Sequence, residues 1–166
     1  MTGQKVEPML QACMDRMIHM LNEGQVLEAL DTFYDKKAHV FENGYLFAAS
    51  KEEALERQRP FLEPCSKIDG DFTELYRSQG RGILVLQNQS SFDHPEYGNG
   101  KIDGVHVYYW QKGHVSREEY ASGGKAGEAL AFWRTLAQAE AMRPENKAPK
   151  TANETEKPDT DQTEAS

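Results

Sequence analysis

The sequence has little cysteine, no long apolar run and no excess of basic residues. Its two cysteines, Cys13 and Cys65, stand in helix-like segments without metal-ligand or disulfide-framework spacing, so we interpret them as small buried hydrophobic residues. No apolar run approaches the roughly 18 residues of a membrane span, and no charged leader precedes an apolar segment at the N-terminus. We therefore expect a soluble, unexported protein of the reducing cytoplasm.

Negative charge predominates, with 27 acidic against 19 basic side chains and a formal net charge of −8. A phosphate backbone would meet net repulsion, and no cluster of Lys and Arg is interleaved with aromatic residues, which disfavours nucleic-acid binding. No glycine-rich phosphate loop follows a strand, and no nucleophilic serine elbow precedes a helix. Nucleotide binding and serine hydrolysis therefore lack support.

Helical patterns occupy most of the first sixty residues. Apolar residues recur at helical spacing over 10–21 and again over 26–34, and a short alternating segment, 38–44, lies after them and ends at Asn-Gly. Ser50 opens a capping box that predicts the start of a third helix. Pro60 is expected to kink or end that helix.

Strand-like patterns occupy the next sixty residues, at 70–79, 82–92, 101–110 and 114–122. The glycine-containing turns between most of them are too short for crossover helices, so we predict antiparallel hairpins. A last helix is predicted over 126–142. Helices followed by a curled, mainly antiparallel sheet indicate an α+β fold with helices packed on one face of the sheet.

The length of 166 residues fits one domain, which we place at 1–142. The segment 143–166 is polar and acidic and has no aromatic or branched aliphatic residue. Such a segment cannot offset the entropy of ordering, so a disordered tail is predicted there.

Three stretches resemble a known family: "MIHMLNEGQVLEALDTFYDKKAHVFENG", "SKEEALERQRPFL" and "VHVYYWQKGHVSREEYAS". Together they are similar to the SnoaL-like branch of the nuclear transport factor 2-like (NTF2-like) superfamily over roughly residues 7–122. The resemblance implies a cone, in which a curved sheet wraps around N-terminal helices, here with an added C-terminal helix. The group includes ketosteroid isomerases, dehydratases, epoxide hydrolases and polyketide cyclases, so the resemblance implies a small-molecule pocket more strongly than any one reaction.

Strand alternation places His106, Tyr108 and Trp110 on one face of their strand. The resemblance puts His106 where ketosteroid isomerases keep a pocket-facing acid, and Glu42 where they carry the carboxylate that moves the proton. It also places Met17 where those enzymes have an oxyanion-binding tyrosine, so this chain departs from a true steroid isomerase.

The predicted site combines carboxylates, an imidazole and aromatic walls. In an apolar pocket, desolvation raises the pKa of a carboxylate, which favours general-base chemistry near neutral pH. We predict Glu42 as the base, His106 as the acid or hydrogen-bond donor and Glu118 as the group that orients His106. The predicted substrate contacts are Tyr108, Tyr120, Trp110, Asn88 and Met17.

The same side chains also have a structural interpretation. Glu42 beside Asn43-Gly44 can lie at the rim in water, His106 can be a core histidine paired with Glu118 or Tyr120, and the aromatic residues can be core. Glu42, His106 and Glu118 come from separate strands without diagnostic ligand spacing, so no metal and no other cofactor is predicted.

The opposite face of the strand carries Val105, Val107 and Tyr109, and this apolar row also needs cover. The family usually covers it by pairing two copies, so we predict a homodimer through the convex face, with the C-terminal helix as the alternative cover.

Two functions remain open. One is a cofactor-free enzyme that performs isomerisation, cyclisation, dehydration or hydrolysis on a small apolar carbonyl compound. The other is a non-catalytic ligand-binding or dimerisation module.

Overall fold

Three helices and one strand hairpin form the first part of the chain, and strands dominate the rest until a final helix. The computed structural model describes residues 3–144. Its helices are α1 (Gly3–Asn22), α2 (Val26–Phe33), α3 (Lys51–Leu62) and α4 (Gly124–Ala141). Its strands are β1 (Tyr34–Glu42), β2 (Tyr45–Ala48), β3 (Lys67–Asp69), β4 (Phe72–Ser78), β5 (Ile83–Asn88), β6 (Ser91–His94), β7 (Gly98–Lys101), β8 (Gly104–Gln111) and β9 (His114–Ser122).

Six strands form the main sheet in the order β2-β1-β9-β8-β5-β4, and β3-β6-β7 form a smaller sheet. The β1-β9 pair is parallel, and every other pair is antiparallel. The predicted α+β fold, with a curved and mainly antiparallel sheet and an added C-terminal helix, is confirmed.

Helices α1, α2 and α3 pack against one face of the main sheet, which we call the inner face. Met14 and Met17 of α1 and Leu30 of α2 are almost completely buried there, against Leu84 and Leu86 of β5. Helix α3 begins as predicted, because the Ser50 side chain accepts a hydrogen bond from the Glu53 amide at 3.1 Å. Pro60 does not end α3, since the helix continues to Leu62.

The predicted strand over 82–92 is wrong in its extent, because the chain turns after Asn88. The Asn88 side chain accepts a hydrogen bond from the Ser90 amide at 3.0 Å, which takes that amide out of the β5 ladder. The chain then enters the small sheet, where β6 and β7 form a hairpin over 91–101. Residues 93–100 of this hairpin lie between two predicted strands, where no strand was predicted. The short edge strand β2 was also missed.

The face of the main sheet opposite to the inner face, the outer face, is covered by α4. Val85, Val105 and Val107 on this face are buried and pack with Leu130 and Trp133 of α4, together with neighbouring residues of both elements. Helix α4 thus supplies the alternative cover for the row Val105, Val107, Tyr109. The homodimer through this face stays a prediction.

Trp133 should carry much of the attachment of α4. Its ring lies 5.4 Å from the ring of Tyr76, whereas the neighbouring Phe132 is 59% exposed. We expect Trp133→Ala to lower the free energy of unfolding by about 2–3 kcal/mol, and the control Phe132→Ala by about 0.5 kcal/mol or less. Urea unfolding measures both, and equal losses would contradict this account of the outer face.

Candidate functional site

A cavity of about 420 Å³ lies between the inner face and the helices. Its helix wall is mostly apolar and includes Met17, Leu30 and Phe61, and the small sheet adds Ile68 and Phe92. The wall formed by the main sheet, the sheet wall, is much more polar. Its polar side chains come from β1, β5, β8 and β9 and from the turn after β5: Tyr34, Glu42, Asn88, Ser90, His106, Tyr108, Glu118 and Tyr120.

Glu118 stands at the centre of the sheet wall and is only 6% exposed. One of its carboxylate oxygens, Oε1, accepts a hydrogen bond from the Tyr34 phenol, and the other, Oε2, lies 2.6 Å from Nδ1 of His106. His106 is paired with Tyr120 and Glu118 with Tyr108 in the β8-β9 register, so the His106–Glu118 contact is diagonal. This buried carboxylate therefore has a partner on each side.

The far side of the His106 ring faces Asn88. Nδ2 of Asn88 lies 3.0 Å from Nε2 of His106, and Oδ1 of Asn88 accepts hydrogen bonds from the Ser90 amide and hydroxyl at 3.0 and 2.6 Å. The Ser90 hydroxyl in turn accepts a hydrogen bond from the Asp71 amide at 3.0 Å. The network therefore continues from β9 through β8 to β5 and the turn after it.

Tyr108 and Tyr120 flank the His106 ring, with ring centroids 5.7 and 4.5 Å from it. Both line the cavity, and neither phenol has a hydrogen-bond partner among residues 3–144. Burial raises the pKa of Tyr108 well above its usual range, and the Glu118 charge adds to this effect. Burial, then the charges of Glu42 and Glu118, raise the pKa of Tyr120. Both phenols therefore keep their protons at neutral pH and can donate hydrogen bonds to a ligand.

Glu42 ends β1 at the rim of the cavity and is exposed to solvent. Its register partner on β9 is Tyr120. The adjacent turn is fixed by Asn43, whose side chain accepts from the Ser122 amide at 2.9 Å and donates to the Ser122 hydroxyl at 3.0 Å. The structure thus brings Glu42 to the cavity, but in a far wetter position than Glu118.

Most predicted site residues line one cavity: Glu42, His106, Glu118, Tyr108, Tyr120, Asn88 and Met17. Trp110 does not, and the prediction that it contacts substrate is corrected. Strand alternation does put Trp110 on the inner face, where it belongs to the same core cluster as Tyr108. Its indole packs 6.0 Å from the Phe33 ring of α2 and does not line the cavity.

Sequence reasoning missed Tyr34, Ser90 and two side chains of α3, Arg57 and Gln58, all of which line the cavity. Tyr34 had a readable signal, because it lies six residues before Val40 and eight before Glu42, in phase with these two positions that line the cavity. The helical pattern over 26–34 includes Tyr34, but α2 ends one residue before it.

Within residues 3–144, no group of three or more His, Cys, Asp or Glu side chains is placed to hold a metal ion. Over the same range, no helix is long and apolar enough to cross a membrane. The predicted tail, 143–166, lies outside the described residues apart from its first two positions.

Comparison with known proteins yields structural likenesses only. No family model matches the chain, and neither does any curated protein. A protein from Shewanella denitrificans, described as a SnoaL-like polyketide cyclase, has a TM-score of 0.56 at 10% identity over 75% of this chain and 98% of its own. One from Jannaschia with the same description has a TM-score of 0.55 at 11% identity, over 78% and 91%. An NTF2-like protein of unknown function from Burkholderia pseudomallei has a TM-score of 0.52 at 10% identity, over 74% and 95%.

These likenesses show the fold. The predicted likeness in fold to SnoaL-like and NTF2-like proteins is confirmed. At such low identity they say nothing about the chemistry of this cavity.

The Tyr108 phenol should make folding less favourable at alkaline pH. Because its pKa is raised in the folded state, its stabilising contribution is complete below the unfolded value of about 10 and is lost as pH rises from there through the folded pKa. Tyr108→Phe removes one such group without breaking a hydrogen bond. We expect the decline in unfolding free energy above about pH 10 to become shallower by up to about 1.4 kcal/mol per pH unit. Denaturant titrations from pH 8 to 11.5 measure this, and an unchanged slope would contradict it.

Gly104 should be required by the position of Tyr120. A Cβ atom at Gly104 would lie 2.3 Å from Cε2 and 2.5 Å from the phenol oxygen of Tyr120, so the ring would have to move. We expect Gly104→Ala to cost about 1–3 kcal/mol of stability. The control is Gly127→Ala in α4, where a Cβ meets nothing within 4 Å and the change should stabilise by about 0.5–1 kcal/mol. If Gly104→Ala is as stable as the original protein, the packing of Tyr120 is misassigned.

Proposed function

We infer that the chain binds a small, largely apolar carbonyl compound in this cavity, and that Glu118 exchanges a proton with it. The observation that carries this inference is a carboxylate that is 6% exposed on the wall of an apolar cavity, with a phenol and an imidazole holding it in place. The cavity volume lies in the range of small-molecule sites.

The proposed chemistry assigns a role to each group on the sheet wall. Glu118 has lone pairs beyond the two that Tyr34 and His106 use, so it can accept a proton from the carbon next to a carbonyl. The phenols of Tyr108 and Tyr120 donate hydrogen bonds to the carbonyl oxygen and stabilise the enolate that forms. Glu118 then returns the proton to the same or another carbon, which gives exchange or isomerisation without a cofactor.

This assignment moves the base from Glu42 to Glu118. Glu42 is exposed at the rim, where water competes for its carboxylate, whereas Glu118 is enclosed. Glu42 in this proposal lies at the entrance beside Tyr120. Cyclisation and dehydration begin with the same proton removal, so all these reactions need Glu118.

A non-catalytic ligand-binding role is the second candidate. It is favoured by the fact that each nitrogen of His106 and each oxygen of Glu118 already has a partner within the chain. A network completed in this way serves structure as well as chemistry.

Proton–deuterium exchange separates the two. The probe is 1-tetralone, a bicyclic aromatic ketone with an exchangeable α proton, and NMR in D₂O follows the loss of that proton. We expect the protein to accelerate exchange and Glu118→Gln to reduce the acceleration by about 10²–10⁴-fold, because a carboxamide cannot accept the proton. Binding of the ketone, measured by tyrosine and tryptophan fluorescence, should change little.

The matched control is Glu119→Gln, the same chemical change on the next residue, whose carboxylate faces away from the cavity and lies 3.4 Å from Arg117. It should keep the exchange activity. Ketone binding without acceleration in the unaltered protein would favour the non-catalytic role. Equal exchange by Glu118→Gln and Glu119→Gln would rule out Glu118 as the base.

A further inference from the structure

The amide group of Asn88 has one possible orientation. Its Oδ1 lies 3.0 Å from the backbone nitrogen of Ser90, and a backbone N–H is always a donor, so the atom facing it must be the amide oxygen. The Ser90 hydroxyl donates to the same oxygen at 2.6 Å. Consequently the NH₂ group of Asn88 faces His106, with Nδ2 at 3.0 Å from Nε2.

This orientation decides where His106 carries its proton. Nε2 faces a donor, so it must supply a lone pair, and the ring proton must then be on Nδ1. Nδ1 lies 2.6 Å from Oε2 of Glu118, which accepts that proton in a hydrogen bond. A second proton on Nε2 would set two donors against each other, and turning the Asn88 amide would only move the conflict to the Ser90 amide.

We propose that Asn88 and Ser90 are positioning residues that hold His106 as the neutral Nδ1–H tautomer, with Nδ1–H fixed on Glu118. His106 then has no free nitrogen for a ligand, so it is neither the acid nor the hydrogen-bond donor to substrate that the sequence predicted. Its function is to orient Glu118, which is left as the group that exchanges a proton. The tautomer follows from the hydrogen bonds alone, whereas the consequence for proton transfer rests on the proposed function.

His94 provides an internal comparison, since the same reasoning gives it the opposite tautomer. Its Nδ1 accepts hydrogen bonds from the Glu96 and Tyr97 amides at 3.0 and 3.2 Å, so its proton must be on Nε2. The side chain is buried, and its Nε2 has no partner among the described residues. Two histidines of one chain should therefore show the two neutral forms side by side.

Long-range ¹H–¹⁵N NMR of the uniformly ¹⁵N-labelled full chain at pH 7, without ligand, tests the tautomer. The resonances missing from His106→Gln identify His106. We expect a protonated, pyrrole-type Nδ1 and an unprotonated, pyridine-type Nε2 for His106, and the reverse for His94. A pyrrole-type Nε2 on His106, as the other tautomer or as imidazolium, would overturn the proposal.

Asn88→Asp tests the role of the amide, because a carboxylate cannot donate to Nε2. The pyridine-type Nε2 signal of His106 should be lost and replaced by a pyrrole-type signal, while the control Asn99→Asp on the exposed part of β7 leaves it unchanged. An Nε2 that stays unprotonated in a folded Asn88→Asp protein would refute the role of Asn88. If this variant does not fold, the spectrum of the unaltered chain decides alone. Because no ligand is present, these results are independent of whether ketone exchange is observed.

Discussion

The buried carboxylate of Glu118 is the group on which the rest of the inner face depends. Removing a carboxylate from water costs free energy unless hydrogen bonds compensate for the lost hydration. Removing one of its partners leaves a buried charge without that compensation and destabilises the fold. Glu118 obtains its partners from the strands on either side of its own: Tyr34 from β1 and His106 from β8. Asn88 of β5 then holds the far side of His106. Since the sheet order is β1-β9-β8-β5, this line of hydrogen bonds crosses four neighbouring strands obliquely. It fixes their relative position on the face where a cavity deprives them of ordinary side-chain packing.

The cavity exists because the helices and the small sheet contact the main sheet around it and do not pack into the space between. Helices α1 and α2 pack Met14, Leu30 and their neighbours against the sheet at one end, while the small sheet and α3 enclose the other. The small sheet is placed by the turn after Asn88, so the same side chain that holds His106 also directs the chain out of the main sheet. On the outer face, α4 packs directly on the valine-rich row. The two faces of one sheet thus divide the tasks: stability on the outer face, a ligand-sized space on the inner face.

The fold and part of the site could be predicted from local patterns. Helical spacing located α1 and α2, the capping box located the start of α3, and the two-residue period of strands put His106 and Glu118 on the same side. Tyr34 was missed because the helical pattern of α2 extends over it, although α2 ends one residue earlier and Tyr34 begins β1. Alternation put Trp110 on the correct face, but only the packing of α2 decides that its ring contacts Phe33 and not the cavity. For the outer face the sequence offered either a second copy or the C-terminal helix as cover, because an apolar row specifies only that something must cover it. The path of α4 shows that the helix packs there. Local periodicity therefore identifies which side chains share a face of a helix or strand. Which element packs against that face depends on the tertiary structure.

The polar groups of the sheet wall fall into two classes that a ligand would meet differently. The His106 nitrogens and the Asn88 oxygen are committed to partners in the chain, so they determine geometry. The Tyr108 and Tyr120 phenols have no partner among the described residues, and Glu118 retains acceptor capacity beyond its two hydrogen bonds. An incoming molecule thus meets two donors and one acceptor within the reach of neighbouring residues on β8 and β9, facing an apolar helix wall. A carbonyl oxygen satisfies the donors and an adjacent acidic C–H faces the acceptor, while the hydrocarbon remainder replaces water against the helices.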